Sequence, residues 1–180
     1  MNLNGLDRET KALALAGYFL QEFAIAEEQV TAALGQLLGL NGAQQELLLA
    51  DMPVARKFKA LKELAPDLPK QFDGDKIAKC MAELLKLNST IRIHLAHKRF
   101  GPGGKDLAIY KSGWPDEVMA AWSAEEFLSR LQVLVGTRRP LMNLVDGLSM
   151  IETERLLREH NSSLSARLSA SRILFGDRDE

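Results

Sequence analysis

Leu15-Ala16-Gly17-Tyr18-Phe19-Leu20-Gln21-Glu22-Phe23-Ala24-Ile25-Ala26-Glu27-Glu28-Gln29-Val30 is the stretch whose spacing decides the fold class. Leu15, Phe19, Phe23, Ala26 and Val30, continued by Leu34 and Leu37, recur every three or four residues, which is the period of one helix face. The spacing predicts one long amphipathic helix from about Asp7 to Leu38, with Asp7 as its cap. Gly39 and Leu40-Asn41-Gly42 supply the turn-forming residues that stop it.

The same period recurs downstream. A short helix is expected over Ala43 to Ala50, and Asp51-Met52-Pro53 reads as a turn. Val54, Phe58, Leu61 and Leu64 mark another short helix ending before Pro66, and 66–74 reads as a loop. Asp75 is the expected cap of a third major helix, whose inward face is Ile77, Met81 or Cys80, Leu84, Asn88, Ile91 and Leu95. Phe100-Gly101-Pro102-Gly103-Gly104 ends that helix. The stretch from there to Pro115 reads as a long loop in which only Leu107-Ala108-Ile109-Tyr110 could be extended.

Ser123 followed by Glu126 is a capping-box signature for a helix bearing Phe127, Leu131, Leu134, Val135, Met142, Val145 and Leu148. Pro140 is expected to kink or split it. A final helix from about Met150 carries Ile151, Leu157, Leu164 and Leu168, weakened at Asn161-Ser162-Ser163. No alternation is long enough to predict a sheet. The expected class is therefore all-α, an up-and-down helical bundle with short accessory helices, formed as one domain over 1–175 with a disordered tail at 176–180.

Composition limits the function. With 23 Lys+Arg against 24 Asp+Glu in 180 residues, no broad basic face for sequence-independent duplex binding is implied, although a local basic patch is compatible. The single cysteine, Cys80, supplies neither a disulfide framework nor a multi-thiolate zinc site, and fits a reducing, cytoplasmic setting. No stretch approaches the roughly 20 apolar residues of a membrane span, and no targeting segment is read before Gln21. No membrane association is expected.

Leu87-Asn88-Ser89-Thr90-Ile91-Arg92-Ile93-His94-Leu95-Ala96-His97 carries the only constellation with chemical content. Guanidinium donors match phosphate oxygens, and an imidazole titrates near neutral pH, so Arg92 and His97 suit a phosphodiester. Five positions on a regular helix separate them by about 140°. They converge only if the helix loosens near His97 or a partner subunit completes the pocket. Asn88, His94, Lys98 and Arg99 are candidate substrate-binding residues around them.

Structural roles stand beside each functional one. Arg92 can pair with a carboxylate while His97 caps the helix end; His94 can be a half-exposed side chain, and Asn88 can make a buried hydrogen bond that fixes helix register. Three histidines and one cysteine lack the carboxylate spacing of a zinc helix, so no metal or other cofactor is expected. Gly101 to Lys105 lacks the ending of a phosphate loop. Trp114 and Trp122 can stack bases or anchor the core.

The Leu87–His97 stretch resembles the signature of the HEPN superfamily, an arginine followed after four to six residues by a histidine. That resemblance implies a small helical bundle that dimerises to bring two motif copies together. It also implies a metal-independent endoribonuclease of a toxin or defence system, with RNA and a cognate antitoxin among its partners. Arg92 would stabilise charge on phosphate and His97 would act as acid or base. Other members are non-catalytic RNA-binding or interaction modules, and that alternative stays open. Ile93 stands where the family usually carries a polar residue, and Arg99 replaces the tyrosine of the subgroup paired with nucleotidyltransferase antitoxins.

Overall fold

The computed structural model describes residues 3, 5–111 and 114–175, with side chains described through 111 and over 117–162. The expected tail at 176–180 and the side chain of Trp114 lie outside what is described. Helix α1 spans Arg8–Leu37, and the Asp7 carboxylate caps it by accepting from the amides of Glu9 and Thr10 at 3.0 Å. These bonds satisfy amides that have no intrahelical partner. The expected apolar row is the buried one: Leu15, Phe19, Phe23, Ala26, Val30 and Leu34 are all nearly solvent-free.

Helix α2 covers Gly42–Leu49, capped by a reciprocal Asn41–Gln44 box. Helix α3 covers Val54–Leu64, and a tight turn at Ala65–Asp67 leads towards α4, Gly74–Leu87. Its cap is Asp73, which accepts from the Lys76 amide at 2.9 Å, and not Asp75, which lies inside the first turn. The alternative left open at Met81 or Cys80 resolves in favour of Met81, which is fully buried while Cys80 is partly exposed.

Two expectations are corrected. The region read as a loop forms a three-stranded antiparallel sheet, β1 Phe100–Gly103, β2 Lys105–Lys111 and β3 Trp114–Trp122, in the order β1-β2-β3. The protein is therefore predominantly helical with a small sheet, not all-α. Central β2 buries Leu107, Ala108 and Ile109 in succession, as a strand covered on both faces does. Gly104, at φ +69°, makes the β1–β2 turn.

The second correction is that the helix expected after Ser123 and the final helix expected from about Met150 are one, with no split at Pro140. Helix α6 runs unbroken over Ala124–Phe175. An interior proline costs about 3 kcal/mol, but Leu131 and Leu134 before it and Leu141 and Leu144 after it are all buried, which holds both flanks to the body. Val135 and Met142, expected inside, are exposed, and from Ser149 to Ser162 every residue is exposed.

The core joins these elements through one chain of aromatic contacts. Trp122 meets Phe127 edge-on at 5.8 Å, Phe127 meets Phe19 at 5.6 Å, Phe19 stacks on Phe23 at 6.0 Å, and Phe23 meets Phe58 at 5.6 Å. This line ties β3, α6, α1 and α3, each contact adding about 0.5–1.5 kcal/mol beyond burial. Around it, α1 packs along α6, while α4 fills the space between α3 and α6. No helix among the described residues is long and apolar enough to cross a membrane.

Candidate functional site

The motif residues stand where helix geometry changes twice in ten residues. After Leu87 the backbone widens into one π turn, Asn88–Arg92, and then tightens into α5, Ile93–His97. The widened turn is closed by the Ile93 amide donating to the Asn88 carbonyl, a five-residue step. Ser89 and Thr90 explain its position: both hydroxyls donate to the Lys86 carbonyl, at 3.0 and 2.7 Å. Such back-bonding competes with the regular amide ladder, and π turns of this kind recur at functional sites.

The loosening ends at Arg92 and does not reach His97. Lys98 donates to the His94 carbonyl at 2.8 Å, an ordinary four-residue step, so α5 keeps regular pitch between the two motif side chains. Arg92 and His97 therefore stay about 140° apart around the axis. One chain does not bring them onto a common face.

Their surroundings differ. Arg92 is half-buried and makes no hydrogen bond or ion pair among the described residues. His97 is exposed in the last turn of α5. The carboxylate pairing of Arg92 considered from sequence is thus not made, while the position of His97 at a helix end is. His94 is partly exposed, and its Nδ1 is buried with no hydrogen-bond partner among the described residues.

Asn88, a candidate substrate-binding residue, opens the widened turn. It is buried at 5 % exposure among the apolar side chains Leu87 and Ile91, and its Oδ1 has no partner among the described residues. The buried hydrogen bond expected to fix helix register is not made by that oxygen.

Lys98 and Arg99 leave the helix towards the sheet. The Lys98 ammonium lies 3.0 Å from the Met119 sulfur on β3. The Arg99 guanidinium carbon sits 5.9 Å from the Tyr110 ring centroid on β2, a cation–π distance. Both cations lack an ion pair among the described residues. A short basic stretch thus follows the motif, in a chain whose total charge is close to zero.

Sequence reading missed how the sheet is tied to the helices beside this region. Asp106 on β2 accepts from the Ala124 amide at 2.7 Å, capping α6 from outside, and pairs with Lys11 of α1 at 3.3 Å. The Ala124 hydrogen bond, assisted by Lys11, holds the Asp106 carboxyl below its usual range. Lys57, nearly buried, pairs with Glu27 at 3.1 Å across α3 and α1. Neither partnership has a sequence signal, because each joins residues distant in the chain.

Burial pushes the Cys80 thiol up, away from the thiolate a nucleophile needs. Among the described residues no three His, Cys, Asp or Glu side chains cluster as metal ligands would. No protein-family model, curated protein or solved structure matches this chain.

Proposed function

We propose that this chain is a HEPN-like helical protein that acts on RNA as a homodimer, a metal-independent endoribonuclease of a defence or toxin type in which Arg92 and His97 line a cleft between copies. The observation that carries the reading is the state of the two side chains: a half-buried guanidinium without a carboxylate partner among the described residues and an exposed imidazole, followed by Lys98 and Arg99. An arginine already neutralised by an acid would have little to offer a phosphate. Their separation around α5 is why a second copy belongs to the proposal.

In the reaction, the ribose 2′-hydroxyl attacks the adjacent phosphorus and gives its proton to an imidazole, forming a 2′,3′-cyclic phosphate. The 5′-oxygen leaves and takes up the proton that the same imidazole has accepted. Arg92 stabilises the charge gathering on the phosphoryl oxygens. Defence or toxin context, and a cognate antitoxin as partner, rest on the resemblance alone.

The test is incubation of purified protein with mixed RNA in chelator, scoring 2′,3′-cyclic phosphate ends for wild type, Arg92→Ala and His97→Ala. Cleavage by wild type alone is the expected result. Equal cleavage by all three would reject the assignment.

A second reading, a non-catalytic helical interaction module, is favoured by a different observation. The outer part of α6 displays Met150, Ile151, Leu156 and Leu157 to solvent, with Met150 at 66 % exposure. Apolar residues at that density are available to a protein partner. Absence of cleavage, together with loss of self-association on replacing Leu156 and Leu157 by serine, would select it.

A further inference from the structure

Beside the motif, where β1 and β2 meet the start of α1, lies a cleft of about 350 Å³ lined by Glu9, Leu13, Arg99, Phe100, Pro102 and Tyr110. Its construction is fixed by short-range chemistry. The Tyr110 hydroxyl donates to the Pro102 carbonyl at 2.7 Å, and the Tyr110 amide donates to the Arg99 carbonyl at 3.0 Å. Gly103 lets the ring come this close, because a Cβ there would overlap the phenol oxygen and the Ala108 side chain. The ring is thus held at both ends, and the exposed Arg99 guanidinium lies over it.

Opposite in charge to Arg99, Glu9 is exposed, and its carboxylate accepts no hydrogen bond from any described residue and forms no ion pair with one. Leu13, one helical turn further along α1, is 57 % exposed on the same cleft. The cleft therefore offers a flat cation backed by an aromatic ring, an apolar wall and one free carboxylate. Arginine planes and aromatic rings are the surfaces on which proteins stack unpaired bases, and base edges are then read by hydrogen bonds.

We propose that this cleft holds a single unpaired guanine base of the RNA, stacked on Arg99 and read by Glu9. The inference rests on the RNA-directed reading given above and specifies its substrate. A carboxylate only accepts hydrogen bonds. Guanine alone of the four RNA bases presents two adjacent donors on its pairing edge, the ring N1–H and the exocyclic amine, and these match the two carboxylate oxygens. Adenine and cytosine present an acceptor beside their amine, and uracil has no amine. Arg99, one residue from Lys98 and two from His97, then links base recognition to the strand's path past the motif.

The test is equilibrium binding, by fluorescence anisotropy, of end-labelled octauridylate and of the same octamer with one central guanosine, inosine or adenosine. The full-length His97→Ala variant is used so that RNA is not consumed. The guanosine octamer should bind about tenfold tighter than octauridylate, the scale of one charged hydrogen-bonded contact. Inosine, which lacks the exocyclic amine, should lose most of that preference. Glu9→Gln should abolish the guanosine preference, so that this variant binds the guanosine octamer and octauridylate equally. Equal binding of all four octamers, or a guanosine preference that survives Glu9→Gln, would overturn the base site while leaving the RNA reading in place. Binding of none of them would overturn both.

Discussion

Thr90 donates its hydroxyl to the Lys86 carbonyl at 2.7 Å, and the helix widens in the same turn. Ser89 adds a second donor to that oxygen. Two neighbouring hydroxyls thus occupy an acceptor that the regular ladder would use, and the turn carrying Arg92 takes the longer step. In the double variant Ser89→Ala, Thr90→Ala the competition disappears and helix propensity rises. We expect the thermal midpoint to hold or rise slightly, while RNA cleavage falls roughly ten- to a hundredfold as Arg92 and His97 turn relative to the body. Cleavage at the wild-type rate would mean that the widened turn has no part in the site.

Lys57 and Glu27 form an asymmetric pair, the lysine side chain 5 % exposed and the carboxylate 25 %. Removing the acid leaves an ammonium inside without compensation, whereas removing both charges does not. Glu27→Ala should cost about 1–3 kcal/mol, below the 3–5 typical of a fully buried pair because the carboxylate reaches solvent. Lys57→Met with Glu27→Gln should be close to neutral. Urea unfolding of the two variants measures this, and an equal loss in both would show that the lysine is held by packing alone.

Asp106 ties three elements through one carboxylate: its own strand, the α6 amide of Ala124 and Lys11 of α1. The Ala124 hydrogen bond, with Lys11, lowers its folded pKa below the unfolded value. The stability it contributes is therefore complete above the unfolded value, about 4, and is lost as pH falls through the lower folded value. Thermal midpoints of wild type and Asp106→Asn should differ by a constant amount from pH 5 to pH 7 and converge below pH 4. A gap as wide at pH 3 as at pH 7 would exclude this linkage.

Phe127 is the centre of the aromatic line, touching both Trp122 and Phe19. It is fully buried. Phe127→Ala should cost about 3–5 kcal/mol, read as a lower denaturant midpoint, and should loosen the sheet as well as α6. Tryptophan fluorescence reports the second effect, because Trp122 loses its ring partner. An unchanged emission spectrum would place the sheet outside the same cooperative unit.

These relationships separate what local sequence dictates from what only packing decides. The Asp7 cap, the Ser123–Glu126 box and the period of Leu15, Phe19 and Phe23 act within a few residues, and each was readable. Of the strands only the Leu107–Tyr110 run of β2 was: glycine interrupts β1, and β3 mixes Asp116 and Glu117 with Ala120 and Ala121. Their pairing depends on β2, whose consecutive buried Leu107, Ala108 and Ile109 show no alternation. Continuity of α6 through Pro140 likewise comes from leucines on both sides meeting the body. At the site, Arg92 and His97 stood out by residue type and spacing. The freedom of Arg92 from any described carboxylate and the cleft joining Glu9 to Tyr110 depend on distant neighbours, so neither is legible in the sequence.

The central proposal is that the guanidinium and imidazole, about 140° apart around one helix axis, meet across two copies of the chain. Subunit mixing tests it most directly. Arg92→Ala and His97→Ala proteins, each inactive alone, are unfolded together, refolded as a mixture and assayed for 2′,3′-cyclic phosphate ends in chelator. A mixed dimer retains one cleft with Arg92 from one copy and His97 from the other, so cleavage should return to a substantial fraction of wild type. A mixture as inactive as its components, in a preparation shown to contain mixed dimers, would contradict the account.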